Sequence, residues 1–485
     1  MEVSSTLLID GKWRTNTAGN KVVNPATGQV LNWQASAGTE ETIEAVEAAR
    51  KAFTFWRESS PFERSEILGR ASRLINDRAE QIGYTLSLET GKLLREAIGE
   101  VRFAADYFAW FAAEARRLEK IRGVHGRASG QQLVLRKPAG VVASLTPWNF
   151  PVSIQARKIA PSLAAGCTVV ARPSEFAPNS VVELYQCLME AGLPGGVANL
   201  LTGPANAITD TLLEAKEVRV ISFTGSTSVG KMLYARSAPT MKRLALELGG
   251  CAPFIVCEDA DLTLALNQAM IAKFRNCGQS CLAANTFYVA NRHYAAFLKG
   301  FADRIQALRL GDPLLPDTTL GPLIHGKRRQ ALEDLQQQAI RAGFELIASS
   351  NPLAVHNDLS TENYLAPAIY ASPALELVDP SFLQQEIFGP LVFVVRFSEL
   401  DELLPVLERN PLGLAGYVFS ENISQAVRVA SRLEVGIVGI NDGLPSAANV
   451  PMGGVKDSGL GREGGYQGID EFLDTQYLGL GTHLF

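Results

Sequence analysis

The feature that most constrains this chain is a change of texture near residue 140. From there, short apolar runs alternate with helical stretches. The runs are VVASL (141–145), TVVA (168–171), ANLL (198–201) and VRVISF (218–223); between them lie QARKIAPSLAAG, SVVELYQCLMEAG and ITDTLLEA. A strand that is apolar on both faces must be covered on both faces, and helices between successive strands supply the cover. The pattern predicts a parallel sheet of nucleotide-binding type, in which ligands meet the carboxyl ends of the strands. A second set, PFIVC (253–257), TFYVA (286–290), LVFVV (391–395) and VGIVGI (435–440), predicts another α/β domain over about 248–440. Upstream, Thr39 reads as a helix N-cap with Glu40 and Glu41 in the first turn, and 61–117 continues in a helical pattern. The tail GIDEFLDTQYLGLG (468–481) alternates weakly, as an edge strand pairing with another subunit would.

Several classes of function are excluded by what is missing. The 485 residues carry a formal charge of −5 with no long run of one sign, so no nucleic-acid partner is expected. The longest apolar-leaning stretch, 159–171, is interrupted by Pro161, Ser162, Gly166 and Thr168, and it is too short to span a bilayer. The opening MEVSSTLLIDGKW lacks a basic start followed by an apolar stretch, so a soluble cytoplasmic protein with no membrane partner is expected. Cysteines at 167, 187, 251, 257, 277 and 281 form no CxxC, and histidines at 125, 293, 325, 356 and 483 are scattered. Neither a disulfide scaffold nor a metal site is predicted.

Three positions suggest chemistry. Cys281 lies in NCGQSC (276–281), between a helical stretch and a strand. A loop cysteine among small polar residues can be activated as a thiolate, although a free cysteine is more often a small buried apolar residue. Glu247 ends a helical or extended run in LALELGG (244–250), and the two glycines after it predict close backbone approach. Asn149, in TPWNFP (146–151), follows a strand and could donate to a developing oxyanion. Together they supply a nucleophile, a base and an oxyanion donor, the parts that acyl transfer requires. Gly225 opens a strand–turn–helix in FTGSTSVG (223–230), where free N–H groups could meet a pyrophosphate or simply cap a helix. Glu175, in ARPSE (171–175), could accept from ribose hydroxyls or be a solvated loop carboxylate.

The motifs TPWNFP, FTGSTSVG, LELGG, GQSC, EIFGP (386–390) and PMGGVKDSGLGRE (451–463) occur in this order, with Glu247 34 residues before Cys281. With them the chain resembles, end to end, the NAD(P)-dependent aldehyde dehydrogenase superfamily. The resemblance implies an α/β fold with a Rossmann-type cofactor domain (1–121 and 141–247), an α/β catalytic domain (248–440) and a small β oligomerisation arm with the C-terminal segment (122–140 and 441–485). It implies homodimers, often paired into homotetramers. Cys281 would attack the aldehyde, Asn149 and the Cys281 backbone N–H would hold the oxyanion, and Glu247 would activate water to hydrolyse the thioester. The cofactor contacts implied are Thr146, Trp148, Arg172, Ser174, Glu175, Gly225, Ser226, Val229, Leu248, Glu386 and Phe388. Family members that pass the acyl group to coenzyme A generally lack the glutamate, so Glu247 favours a free acid product. A noncatalytic protein on the same fold would be marked by loss of the nucleophile or base; both are present.

KFRNCGQSCLAAN (273–285) and NDGLPS (441–446) most resemble succinate-semialdehyde dehydrogenases. At the positions of Arg157 and Arg275, members acting on neutral aldehydes tend to carry aromatics, and Ser446 matches a third carboxylate contact. Guanidiniums beside a pocket favour a substrate with a remote anion. The expected substrate is therefore a short aldehyde with an anionic far end: succinate semialdehyde first, then glutarate semialdehyde, 2-oxoglutarate semialdehyde or sulfolactaldehyde. PSAANVPMGG departs from the commoner STEVAPFGG at Pro445 and Met452. Glu175 matches the ribose-binding acid of NAD-preferring relatives, whereas Arg172 stands where lysine is common and suits a phosphate. NAD is expected, with NADP second. Ala283 removes the second cysteine that forms an inhibitory disulfide in some relatives, and Cys277 reads as a packing residue.

Overall fold

A computed structural model describes residues 6–15, 19–118, 121–124, 130–350, 359–379 and 381–481. In it the strands Ala198–Leu200, Thr168–Arg172, Val141–Leu145, Val218–Thr224 and Arg243–Glu247 lie side by side and parallel. Strands 141–145 and 168–172 are buried along their whole length, as is the helix Pro151–Ala165 between them. This explains the valines and alanines on both faces of each strand. The strand order reverses between Val141–Leu145 and Val218–Thr224, which opens a crevice at their carboxyl ends.

The edges of this sheet were not legible in advance. Leu7–Ile9 and Lys12–Arg14 close one side as an antiparallel hairpin. Gly459–Leu460 closes the other, antiparallel to Leu246–Glu247. The helix Thr39–Trp56 begins one residue earlier than its sequence suggests. Gly38, not Thr39, is the N-cap, and its N–H donates to the Glu41 carboxylate at 2.7 Å. Residues 61–117 form three helices, Pro61–Asp77, Ala79–Thr90 and Leu94–Arg117.

The second sheet runs Glu345–Ser349, Ala368–Ser372, Leu391–Phe397, Ala284–Ala290, Ala252–Val256, Ala415–Phe419, Ile437–Ile440, and only the first of these is antiparallel to its neighbour. Its core is aromatic: Phe254 stacks on Phe419 with ring centres 4.5 Å apart.

A three-stranded arm has the order Leu473–Gly481, Gly130–Pro138, Ile121–Val124. The tail strand thus pairs within its own chain. Residues 125–129 of the expected arm lie outside the described residues. The strands of the segment 441–485 divide among three places. Val455–Lys456 pairs with Leu412–Gly413, Gly459–Leu460 joins the first sheet, and Leu473–Gly481 alone of its strands joins the arm. The physical reason is the open edge of Arg243–Glu247, whose unpaired backbone groups need a partner. No helix among the described residues is long and apolar enough to cross a membrane.

Candidate active site

The helix Leu262–Phe274 gives way to a tight turn over Arg275–Gly278, in which Asn276 and Cys277 both adopt positive φ, 52° and 55°. Residues with side chains rarely do this unless their surroundings over-determine it. Here the Asn276 N–H donates to Glu96 at 2.9 Å, and its side-chain amide donates to the carbonyls of Asn149 and Gln279 at 3.0 and 3.1 Å. Gln279 returns a bond to the Asn276 carbonyl at 3.2 Å and accepts from the Ile324 N–H at 3.0 Å. The turn delivers Cys281, which alone of the six cysteines, all of them described, is half-buried rather than buried throughout. Burial and then the nearby Glu247 carboxylate push its thiol well above the usual range, while Arg157 pulls the other way. In this arrangement Cys281 is a thiol that needs a base.

Asn149 is held from behind. Its carbonyl accepts from the Lys92 ammonium at 2.8 Å as well as from Asn276. Its side-chain amide donates to the Gln279 carbonyl at 3.2 Å, leaving a second N–H for a ligand. Lys92 is fully buried, ion-paired with the equally buried Glu100, and sits 3.9 Å from the centre of the Phe150 ring. The other Glu100 oxygen accepts from the Val152 and Ser153 N–H groups at 3.1 and 3.2 Å, a carboxylate at the positive end of the helix Pro151–Ala165.

Glu247 ends a strand rather than a helix. The glycines after it do leave room for close neighbours. A Cβ on Gly249 would come within 2.8 Å of a Glu386 oxygen, and one on Gly250 within 2.6 Å of the Cys281 carbonyl. Burial raises the Glu247 carboxyl, and Arg157 is the largest influence lowering it. Glu386 accepts from the Gly250 N–H at 3.3 Å and is pushed up to about 7 by burial.

Two cavities meet at the crevice of the first sheet. One, of about 300 Å³, is lined by Trp148, Asn149, Gly225, Ser226, Glu247, Leu248, Cys281, Glu386 and Phe388. The other, of about 470 Å³, is lined by Thr146, Arg172, Ser174, Gly225 and Val229. They share Pro147, Thr224 and Gly225. All of the expected catalytic and cofactor residues except Glu175 therefore line one cavity or the other. Glu175 is bound to Arg172, whose Nη2 donates to it at 2.7 Å and to the Gly203 carbonyl at 3.0 Å. Two polar side-chain atoms lining the larger cavity are buried without hydrogen-bond partners, Arg172 Nε and Thr224 Oγ1. Ser226 caps the helix Thr227–Ser237, its hydroxyl accepting from the Val229 N–H at 3.4 Å. Orphaned polar atoms beside a helix N-terminus fit a ligand with phosphates and hydroxyls.

The expected substrate residues lie apart from those linings. Arg275 is half-buried, its guanidinium 4.9 Å from the centre of the Phe150 ring, and it makes no ion pair among the described residues. Arg157 does not stand open. Its Nε lies 2.6 Å from Glu463 and its Nη2 lies 3.6 Å from Glu247, while Nη1 contacts the sulfur of Met452. Ser446 is half-buried in the loop after Ile437–Ile440.

Sequence reasoning missed His325 and Arg328, which line the smaller cavity. Arg328 donates to the Phe388 carbonyl at 3.0 Å and to that of Ile387, and so holds Phe388 at a φ of 49°. It also missed Lys158 and Glu463, an ion pair beside Arg157. GLGRE is a local pattern, and no spacing rule links residues 305 apart.

Residues 13–478 match the aldehyde dehydrogenase family model. A mitochondrial succinate-semialdehyde dehydrogenase of Arabidopsis thaliana is 40% identical over 98% of this chain and 89% of its own length. A glutarate-semialdehyde dehydrogenase of Pseudomonas putida is 39% identical over 97% of this chain and 96% of its own. A 3-sulfolactaldehyde dehydrogenase of Pseudomonas putida is 39% identical over 98% and 96%. Among solved structures, a succinate-semialdehyde dehydrogenase from Burkholderia pseudomallei superposes with a TM-score of 0.94 at 38% identity, covering 99% of this chain and 98% of that one.

Proposed function

This chain belongs to the aldehyde dehydrogenase family, and on that premise we propose that it oxidises a short aldehyde with an anionic far end to the acid, with succinate semialdehyde as first choice. The observation that carries the reading is the cavity in which Cys281, Asn149, Glu247 and Glu386 converge, with Arg275 unpaired on the ring of the adjacent Phe150. The three relatives above are named for different aldehydes at almost the same identity. Those aldehydes share a negative charge remote from the carbonyl, so that charge is the property this reading transfers.

The chemistry follows from the residues. Glu247 takes the Cys281 proton, and the sulfur bonds to the aldehyde carbon. The negative charge this places on oxygen is met by the free N–H of Asn149 and the Cys281 backbone N–H. NAD, when bound, supplies the acceptor for the substrate's hydride, which leaves a thioester on Cys281. Glu247, once it has released the first proton to solvent, takes a proton from water as the water oxygen attacks the thioester carbon. The carbon–sulfur bond breaks, and the sulfur leaves as a thiol once it regains a proton. Arg172, Ser174, Thr146, Val229, Gly225 and Ser226 would hold the adenosine and phosphate portion, and Trp148, Leu248, Glu386 and Phe388 the remainder. Glu175 favours NAD over NADP by repelling a further phosphate. Arg275 is the cation assigned to the anionic end, with Ser446 as a further contact; Arg157 lies 2.6 Å from Glu463 and 3.6 Å from Glu247. The same reading includes a cytoplasmic homotetramer assembled through the arm.

The test is a panel of succinate semialdehyde, glutarate semialdehyde, 2-oxoglutarate semialdehyde, sulfolactaldehyde and propanal, each run with NAD and NADP. The expected result is a kcat/KM at least tenfold higher for an anionic aldehyde than for propanal. The ranking should collapse in Arg275→Ala. If propanal wins, or if Arg275→Ala leaves the order unchanged, the anionic reading fails.

A further inference from the structure

We propose that Cys251 and Asn285 are positioning residues for Glu386, a side-chain clamp that sets how tightly the cofactor is held beyond its adenosine and phosphates. The inference rests on the reading of Glu386 as a cofactor contact.

Glu386 stands on an irregular loop. After the short turn Phe382–Gln384, residues 385–390 belong to no helix or strand. Backbone carbonyls without regular pairing need partners from side chains or water. Here side chains supply them. The Asn285 amide donates to the Gln385 carbonyl at 2.7 Å. The Cys251 thiol faces the carbonyls of Leu383 at 3.1 Å and Gln385 at 3.5 Å, and its single proton goes to one of them at a time. Asn285 also donates to the Cys251 sulfur at 3.2 Å, which ties the two side chains together. On the far side of Glu386, Arg328 donates to the carbonyls of Ile387 and Phe388. The backbone is thus gripped immediately before and immediately after the carboxylate. The carboxylate itself accepts from the N–H of Gly250, the neighbour of Cys251.

The clamp is rooted in the middle of the second sheet. Cys251 immediately precedes the strand Ala252–Val256, and Asn285 is the second residue of Ala284–Ala290. The two strands are parallel neighbours, with Ala252 opposite Ala284. Glu247 lies four residues before Cys251, and Cys281 four before Asn285. The strand starts that follow the base and the nucleophile therefore also fix the loop that carries Glu386, so one rigid frame sets all three groups.

A buried cysteine is often a small apolar filler. Valine or alanine could fill space at position 251, but neither could hold a carbonyl. Both clamp side chains are buried, and burial pushes the Cys251 thiol up to about 11, so it keeps the proton it donates. Neither side chain lines the two cavities at the crevice. Their effect on a ligand there must pass through Glu386.

The experiment measures NAD and ADP binding by calorimetry, with steady-state kinetics on succinate semialdehyde. The proteins are wild type, Cys251→Ala, Cys251→Ser, Asn285→Ala, Glu386→Ala and Cys251→Ala/Glu386→Ala. ADP carries adenosine and phosphates but lacks the portion assigned to Glu386. For Cys251→Ala and Asn285→Ala, Kd and KM for NAD should rise about three- to tenfold, the size of one lost hydrogen bond. ADP binding and KM for succinate semialdehyde should stay within about twofold of wild type, since they do not involve Glu386. Cys251→Ser keeps a donor and should bind NAD within about twofold of wild type. Without the Glu386 side chain, Cys251→Ala should change NAD binding by less than about twofold, because the group it positions is gone. The proposal is overturned if both alanine variants bind NAD as wild type does, or if ADP weakens as much as NAD. It is equally overturned if Cys251→Ser is no better than Cys251→Ala, or if the Cys251→Ala effect persists in full in the Glu386→Ala background. Should Asn285→Ala fail to fold, the cysteine variants decide alone. A Glu386→Ala enzyme that binds NAD as tightly as wild type would remove Glu386 from the cofactor site and the proposal with it, a result read from that variant and not from the clamp variants.

Discussion

Replacing Glu100 by Gln should cost about 3–4 kcal/mol of stability at pH 7.5, and the loss should shrink as pH rises. The variant keeps an acceptor for the Val152 and Ser153 N–H groups and removes only the charge facing Lys92, which is fully buried. Breaking one side of a buried pair typically costs about 3–5 kcal/mol, because the other charge stays desolvated. Lys92 has an exit. Burial already pushes its ammonium below the usual range, and Glu100 is the main influence holding it up. Without Glu100 it can shed its proton. For an ordinary lysine near 10.4, deprotonation at pH 7.5 costs about 1.4 kcal/mol for each of about three pH units, a ceiling near 4 kcal/mol. The sign is fixed: the unfolded chain then binds a proton the folded chain lacks, so stability rises with pH until the unfolded lysine titrates. Urea unfolding followed by circular dichroism at pH 7.5 and 9.5 should show the deficit falling by roughly 2–3 kcal/mol. Lys92→Met/Glu100→Gln, with no charge left, should return to within about 1 kcal/mol of the parent. Equal deficits at the two pH values, or a double variant no better than Glu100→Gln, would refute the argument.

Glu247→Gln should slow the first turnover of reduced cofactor and lower steady turnover about 10²–10⁴-fold; a rate within tenfold of wild type speaks against its role as base. Asn149→Ala should lower kcat about 10²–10³-fold with little change in KM, as expected for a donor that acts on the oxyanion; steady-state kinetics over a substrate range separate the two. Glu175→Ser removes a carboxylate and one of the two acceptors of Arg172 Nη2, so kcat/KM with NADP should rise at least fivefold relative to NAD; no gain would remove Glu175 from cofactor choice. Glu386 is pushed up to about 7 and accepts hydroxyls best when ionised, so KM for NAD should fall as pH rises through 7, and Glu386→Gln should flatten that slope. The folded chain holds this proton between about 4.5 and 7 and the unfolded chain does not, so in the free enzyme the same group erodes stability as pH rises across that window.

The parts of this protein that obey short-range rules were readable from the sequence. Strands 141–145 and 218–224 are buried at every position but Arg219, and they stand close to where the alternation put them. Gly249 and Gly250 announced close approach, and the approaching groups are Glu386 and Cys281. What escaped depends on distance along the chain. AIYAS (368–372) and AGYVF (415–419) are strands whose few apolar residues suit a buried helix equally well. Arg157 looked like a free cation because Glu463, 306 positions later in the numbering, carries no local mark of its pairing. Arg328 supports Phe388 through backbone carbonyls, which any sequence offers.

The antiparallel pairing of Gly459–Leu460 with the strand that ends in Glu247 also sets an order in time. On a ribosome, the five parallel strands of the first sheet emerge long before residues 452–463. Until those residues arrive, Arg157 and Lys158 lack Glu463, and Glu247 lies on an unclosed edge. The arrangement around Glu247 is thus withheld until residues 452–463 have been made.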